Sequence, residues 1–264
     1  MQTGCIVGAE ALIRWTHPDV GIIPPDKFVP ILEETGLIHE VGLWIIRSAC
    51  TEALRWDSSM HIAINLSAAQ LYNPRFLENV KHILDNVKLP VERIEFEITE
   101  SIIMEKNDVL NGNLEGIREL GINIALDDFG TGFSSLSYLQ NTSCDVLKLD
   151  KSLIDNVGNN TSQSSVIEAV VFMAHSMGMQ VVAEGVEGEE QVLALAHYQV
   201  DILQGFHFSA PLPVDAFQRF MDEYTPGSWV QEVQSITQAT HQNQPDRGSS
   251  EQRHRSTMRH SADH

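Results

Sequence analysis

The chain holds 264 residues, 42% of them hydrophobic, with a formal net charge of −19 and three cysteines. That length supports one sizeable core, about the size of a single α/β barrel, and the acidity excludes a surface that attracts extended nucleic acid or anionic lipid. No apolar run reaches the roughly 18 residues of a membrane span, and the opening Met1-Gln-Thr-Gly-Cys-Ile-Val lacks the basic and apolar regions of a secretory signal.

Strand-like and helix-like segments then alternate. The candidate strand Ile6–Trp15 is followed by helical patterns at Pro25–Thr35 and Leu43–Trp56, and then by a strand at His61–Leu66. A helix at Pro74–Asn86 leads past Pro90 to a strand at Ile94–Thr99. A helix at Val109–Leu120, closed by Gly121, precedes the strand Ile122–Asp127. Val146–Leu149 is the next strand. Ser164–Met177 is a helix closed by Gly178, followed by the strand Gln180–Ala183, the helix Glu189–Tyr198 and the strand Asp201–Phe206. This order predicts a mostly parallel sheet with helices outside. Seven strands are one short of a closed (β/α)₈ barrel, and a doubly wound open sheet is the alternative.

Residues 1–224 form the predicted folded domain. Residues 225–264 carry four Lys/Arg and four Asp/Glu, so the whole charge imbalance belongs to the folded part. The tail, polar throughout its end, is expected to be largely disordered, because it cannot offset its ordering entropy by burial. Its histidines His241, His254, His260 and His264 read as solvated rather than as metal ligands. Cys5, Cys50 and Cys144 are an odd count without a CxxC spacing, and read as buried thiols of a reducing, cytoplasmic compartment.

The chemistry is suggested by where polar residues fall. Glu10 lies in an apolar strand, with Leu12 and Arg14 on the same face at period two. Asn65 ends the strand His61–Leu66. Glu95 and Glu97 share one face of Ile94–Thr99, and Glu100 follows. Asp127 and Asp128 end an apolar strand before a Gly/Ser/Thr-rich loop. Lys148 sits inside Val146–Leu149, with Asp150 just beyond. Glu184 and Glu187 follow Gln180–Ala183, and Gln204 follows Leu203. Each has a bland reading: an ion pair for Glu10, a turn for Asn65, a solvated edge for Glu95 and Glu97, a helix cap for the aspartates, a snorkelling edge for Lys148. Together they predict one oxygen-rich site at the strand ends, where parallel barrels build active sites. Carboxylates suit hard divalent ions, so the pattern points to metal-assisted hydrolysis of a phosphate ester. Metal-assisted enolate chemistry would use a similar barrel.

Glu10-Ala-Leu-Ile-Arg-Trp resembles the signature that names the EAL family. The resemblance continues through Pro24-Pro-Asp-Lys-Phe-Val-Pro, Glu33-Glu-Thr-Gly-Leu-Ile, Asn65-Leu-Ser, Glu97-Ile-Thr-Glu-Ser, Asp127-Asp-Phe-Gly-Thr-Gly-Phe-Ser-Ser-Leu, Leu147-Lys-Leu-Asp, Val182-Ala-Glu-Gly-Val-Glu and Gln204-Gly-Phe. It implies a modified TIM-like (β/α)₈ barrel whose first strand is antiparallel. It further implies hydrolysis of cyclic di-GMP to linear 5′-pGpG with two Mg²⁺ or Mn²⁺ ions. Glu10, Asn65, Glu97 and Asp127 would ligate metal, with Asp128 serving the second ion. Lys148 would hold the attacking water, and Glu184 would act as base or metal support. Leu12, Arg14, Glu187 and Gln204 would line the substrate site. Glu100 would steady the loop Phe129–Ser135, which in the family links the metal site to a dimer interface.

The family's first, antiparallel strand, with its Gln-Pro pair, has no counterpart ahead of Glu10, so seven strands are expected here. Ala210 stands where the family often has a basic residue. The resemblance implies a homodimer in the cytoplasm, and an upstream sensory or GGDEF domain in a longer protein. No DNA, RNA or membrane partner is expected. A cyclic di-GMP-binding or partner-binding module without turnover is the alternative.

Overall fold

Ile94, Phe96 and Ile98 alternate with Glu95, Glu97 and Thr99 along one strand, and all three apolar side chains are buried. Successive strand residues point to opposite faces, so one face of this sheet packs on helices while the other carries the polar set. The structure is a computed structural model that describes residues 3–105, 107–131, 144–155, 157, 161–227 and 229–243.

Seven strands make the main sheet: β1 (Gly8–Ala11), β4 (His61–Asn65), β5 (Ile94–Thr99), β6 (Asn123–Phe129), β7 (Val146–Leu149), β8 (Gln180–Ala183) and β9 (Ile202–Leu203). Every pairing is parallel, and the strands lie side by side in chain order. A doubly wound sheet would reverse its order at a switch point, so that alternative is excluded. The sheet curls into a TIM-like half-barrel with helices outside it, as expected. α1 (Pro25–Thr35), α2 (Ile38–Ala53), α3 (Ala68–Leu71) and α4 (Phe76–Val87) come before β5. α5 (Glu100–Ile103) and α6 (Asp108–Glu119) precede β6, and α7 (Lys151–Ile154) and α8 (Thr161–Ser176) precede β8. α9 (Glu189–His197) connects β8 to β9.

The main core lies between the helices and the outer strand face, and includes Ile62, Ile64, Phe96, Ile98, Leu147, Leu149 and Val181. A second, small cluster of Ala125, Val146 and Val182, with Ile202 against it, forms apart from the main core. Each lies two residues before Asp127, Lys148, Glu184 or Gln204 and shares that residue's strand face, so together they floor the site.

Several elements differ from the sequence reading, among them the last strand, which is Ile202–Leu203 rather than Asp201–Phe206, and the unexpected short helices α3, α5 and α7. The expected strand Ile6–Trp15 is two strands: β1 stops at Ala11, and β2 (Trp15–His17) pairs antiparallel with β3 (Gly21–Ile23). Leu12 and Arg14 therefore lie beyond β1, not on its Glu10 face. Helix α2 begins at Ile38, ahead of the predicted Leu43. Gly42 sits inside it because a Cβ there would lie 2.1 Å from Gln70 Nε2. Helix α10 (Val214–Glu223) was not expected. It packs Phe217 on Trp56, with ring centroids 5.3 Å apart. Helix α11 (Trp229–Asn243) falls in the stretch expected to be disordered. Trp229 and Val233, four residues apart, put two buried side chains on one helix face, and α11 packs against α9. Residues 244–264 lie outside the described residues.

Candidate active site

The side chains singled out at the strand ends converge on Lys148. Its ammonium contacts Glu97 Oε1, lies 2.6 Å from Glu184 Oε1 and 3.4 Å from Asp127 Oδ1. Lys148 is only 2% exposed and Glu97 only 1%. Register explains the meeting: Lys148 on β7 pairs with Val182 on β8, two residues before Glu184, and Glu97 on β5 pairs with Ala125 on β6, two residues before Asp127. A period of two puts each carboxylate on the inner face, one layer above its pairing partner.

A second group joins the sheet's first and last strands. Asn65 Nδ2 donates to Glu10 Oε1 at 2.6 Å, and Gln204 Nε2 donates to Glu10 Oε2 at 2.8 Å. Gln204 is held by Gly205, whose φ is +155° and whose added Cβ would meet Val186 N at 2.2 Å. Only glycine lets the two backbones approach so closely. Val186 N then donates to the Gln204 carbonyl at 3.0 Å.

One ammonium among several carboxylates leaves negative charge in excess. Burial pushes Glu97 up to about 9 and Glu184 up to about 7, with Lys148 opposing both shifts. Burial pushes Glu95, on the same inner face, up to about 7. Burial works to lower Lys148, but Glu97, Glu10, Glu184 and Asp127 overcome it and hold the ammonium above its usual range. Asp128 is raised by burial and then by Asp127. Its backbone is left-handed, with φ +57°, and its amide donates to Asp127 Oδ1 at 2.9 Å.

The donor set fits hard divalent cations. Glu97 Oε2 is buried and has no hydrogen-bond partner among the described residues. Carboxylate and amide oxygens from Glu10, Asn65, Glu97 and Asp127 are the ligands such ions prefer. Among the described residues, no three His, Cys, Asp or Glu side chains form a ready metal cluster. The lysine ammonium is the cation on which the carboxylates meet.

The remaining predicted residues stand further out. Glu100 Oε1 accepts from Gly130 N–H at 3.1 Å, at the start of the loop after Asp128. Residues 132–135 of that loop lie outside the described residues. Glu187 is exposed and pairs with Lys151 at 2.5 Å. Leu12 is exposed, and Arg14 donates to the Ile13 carbonyl next to it rather than to the cluster. Two of the contacts that the sequence reading missed lie at the edge of the site. Ser67 Oγ donates to Glu33 Oε1 at 2.5 Å, tying α1 to the segment after Asn65. Lys151 reaches Glu187 across 36 positions. Glu33 lay in a quoted motif, whereas nothing in the local sequence marks Lys151.

Residues 1–211 match the family model described as the EAL domain. The chain belongs to the EAL domain family. It is 43% identical over 225 residues to a Caulobacter vibrioides protein described as an uncharacterized signaling protein, covering 85% of this chain and 28% of that one. The EAL chain thus spans only about a quarter of the length of such curated relatives, 26 to 28%. Among solved structures it resembles the PaMucR phosphodiesterase in complex with c-di-GMP. The TM-score is 0.75 at 35% identity, over 80% of this chain and 87% of that one. It also resembles Klebsiella pneumoniae BlrP1 in its manganese and cyclic di-GMP complex. There the TM-score is 0.68 at 30% identity, over 78% of this chain and 52% of that one.

Proposed function

We propose that this EAL domain hydrolyses cyclic di-GMP to linear 5′-pGpG and requires Mg²⁺ or Mn²⁺. The observation that carries the reading is the buried Lys148 ammonium gripped by Glu97, Asp127 and Glu184 in a chain of this family. The PaMucR and BlrP1 complexes support the substrate, and the manganese in the latter supports the ion class.

Glu10, Asn65, Glu97 and Asp127 would hold one cation, and Asp128 would serve a second. Bound divalent ions supply a polarised phosphoryl oxygen and a more acidic water. Gln204 and Asn65 fix both oxygens of Glu10, so that carboxylate is oriented before substrate arrives. The Lys148 ammonium donates to the attacking water and directs its lone pair at phosphorus. Glu184, in contact with the same ammonium and pushed up to about 7 by burial, is matched to accept the water's proton near neutral pH. The new oxygen–phosphorus bond forms as the bond to one 3′-oxygen breaks, and that oxygen takes a proton from solvent water, which leaves a 5′-phosphate and a free 3′-hydroxyl. Leu12 and Arg14 remain the residues proposed to meet the nucleotide.

The domain is further proposed to act in the bacterial cytoplasm, as a homodimer, within a longer signalling protein. Incubating the purified chain with cyclic di-GMP and Mn²⁺, with chromatography for pGpG, tests the activity. Turnover that survives excess chelator would refute the metal requirement. Tight binding of intact cyclic di-GMP without pGpG would establish a receptor instead.

A further inference from the structure

The turn that carries Glu184 is held from outside the cluster by the side chains of Lys151 and Gln191. Glu184 N–H donates to the Leu149 carbonyl at 3.0 Å, and the chain then runs Gly185-Val186-Glu187 across the top of α7. Lys151, the first residue of α7, lies against this turn at two points. Its methylenes cover Gly185: a Cβ at that position would lie 2.7 to 2.8 Å from Lys151 Cβ, Cγ and Cδ. Gly185 also has φ +67°, so the turn itself demands glycine. The Lys151 ammonium then reaches Glu187 Oε1 at 2.5 Å and Asp155 Oδ1 at 3.3 Å.

Helix α7 is itself well anchored. Asp150 Oδ1 accepts from Ser152 N–H at 2.9 Å as its N-cap, and the Asp150 amide donates to the Phe129 carbonyl at 3.3 Å. Ile154 is fully buried. Gln191 donates to the Ile154 carbonyl at 3.4 Å, while its Oε1 accepts from the Glu187 and Gly188 amides at 2.7 and 3.1 Å. A fixed helix therefore presents Lys151 to a turn that ends on Glu184. Lys151 and Glu187 are 43% and 56% exposed, and such pairs add little to stability. The contact acts on position instead.

We infer that Lys151 is a positioning residue, which clamps the Glu184–Glu187 turn and so sets where the Glu184 carboxylate meets Lys148. Glu187 then acts through Lys151 rather than by touching the nucleotide. The inference rests on the proposed hydrolysis for its catalytic consequence, but the clamp can be read without turnover. Small misplacements of a reacting group cost roughly 10- to 100-fold in rate.

The test compares the wild-type chain with Lys151→Ala, Lys151→Arg, Lys151→Glu and the exchanged pair Lys151→Glu with Glu187→Lys. Amide hydrogen exchange across residues 184–188 is expected to quicken in Lys151→Ala and to slow again in Lys151→Arg. The exchanged pair is expected to be more protected than Lys151→Glu alone. In the hydrolysis assay kcat is expected to fall about tenfold in Lys151→Ala with KM little changed, and to recover in Lys151→Arg. Unchanged exchange in Lys151→Ala overturns the clamp, whatever the activity. Faster exchange with wild-type kcat overturns its link to Glu184. A wild-type chain that hydrolyses nothing refutes the phosphodiesterase reading, while the exchange data still decide the clamp.

Discussion

The two faces of β5 have opposite economies. On the outer face Ile94, Phe96 and Ile98 are buried among helices, where apolar packing stabilises the fold. On the inner face Glu97 is taken out of water with the Lys148 ammonium in contact as compensation, and half-buried Glu95 feels the same charge. A single hexapeptide thus spends stability on one side to keep chemistry on the other. The comparison teaches that burial alone does not mark a structural residue: Glu97 is as hidden as Phe96.

The sharpest break is between these neighbours. Phe96→Ala is expected to lower unfolding free energy by about 3–5 kcal/mol in denaturant titration. Glu97→Gln should change stability by no more than about 1 kcal/mol, because Lys148 keeps Asp127 and Glu184. Hydrolysis in Glu97→Gln should nevertheless fall by roughly 10³-fold. Equal losses of stability in the two variants would erase the distinction.

Next comes Lys148→Met, which leaves the inner carboxylates without their cation. Stability in chelator is expected to drop by about 3 kcal/mol and to be partly regained on adding Mn²⁺, as followed by thermal unfolding. A melting temperature insensitive to Mn²⁺ would count against the carboxylates as an ion site. Gln204→Ala removes one of the two donors on Glu10 and is expected to cost about tenfold in kcat/KM, with a smaller change in melting temperature.

The smallest effect concerns the thiols of the outer layer. Burial pushes Cys50 and Cys144 up to about 12, so neither offers thiolate at neutral pH. Raising the pH toward 12 would be needed to ionise them in the folded chain. Iodoacetamide at neutral pH should therefore label exposed Cys5 alone, and the other two only after unfolding, as read by mass spectrometry of peptides. Labelling of Cys50 in the native chain would show that the outer core opens readily.

Much of the architecture was legible because each strand advertises its own period. Val146–Leu149 and Gln180–Ala183 begin and end where the sequence reading put them, as do Ile94–Thr99 and α1. The division of Ile6–Trp15 was hidden, since a strand ends where its partner ends, and β4 lies far away in sequence. α11 was hidden because its apolar face is only a few residues in a polar run. In the candidate site, residue types at strand ends pointed to Glu10, Asn65, Glu97, Asp127, Lys148 and Glu184, which the fold brings into two contact groups. Their pairings were not visible: Glu10 meets Gln204 across 194 positions, and that meeting is made by the curl of the sheet. Lys151 escaped for the same reason, as its partner lies on another loop brought near only by topology.

The hydrogen bond between Glu10 and Gln204 also has a consequence for synthesis. A ribosome makes β1 before β9, so the Glu10 carboxylate waits 194 positions for the Gln204 amide. Contacts so distant in sequence form late in folding. A nascent chain stalled before β9 emerges would hold Glu10 with the Asn65 donor alone and lack the Gln204 donor that completes the pair.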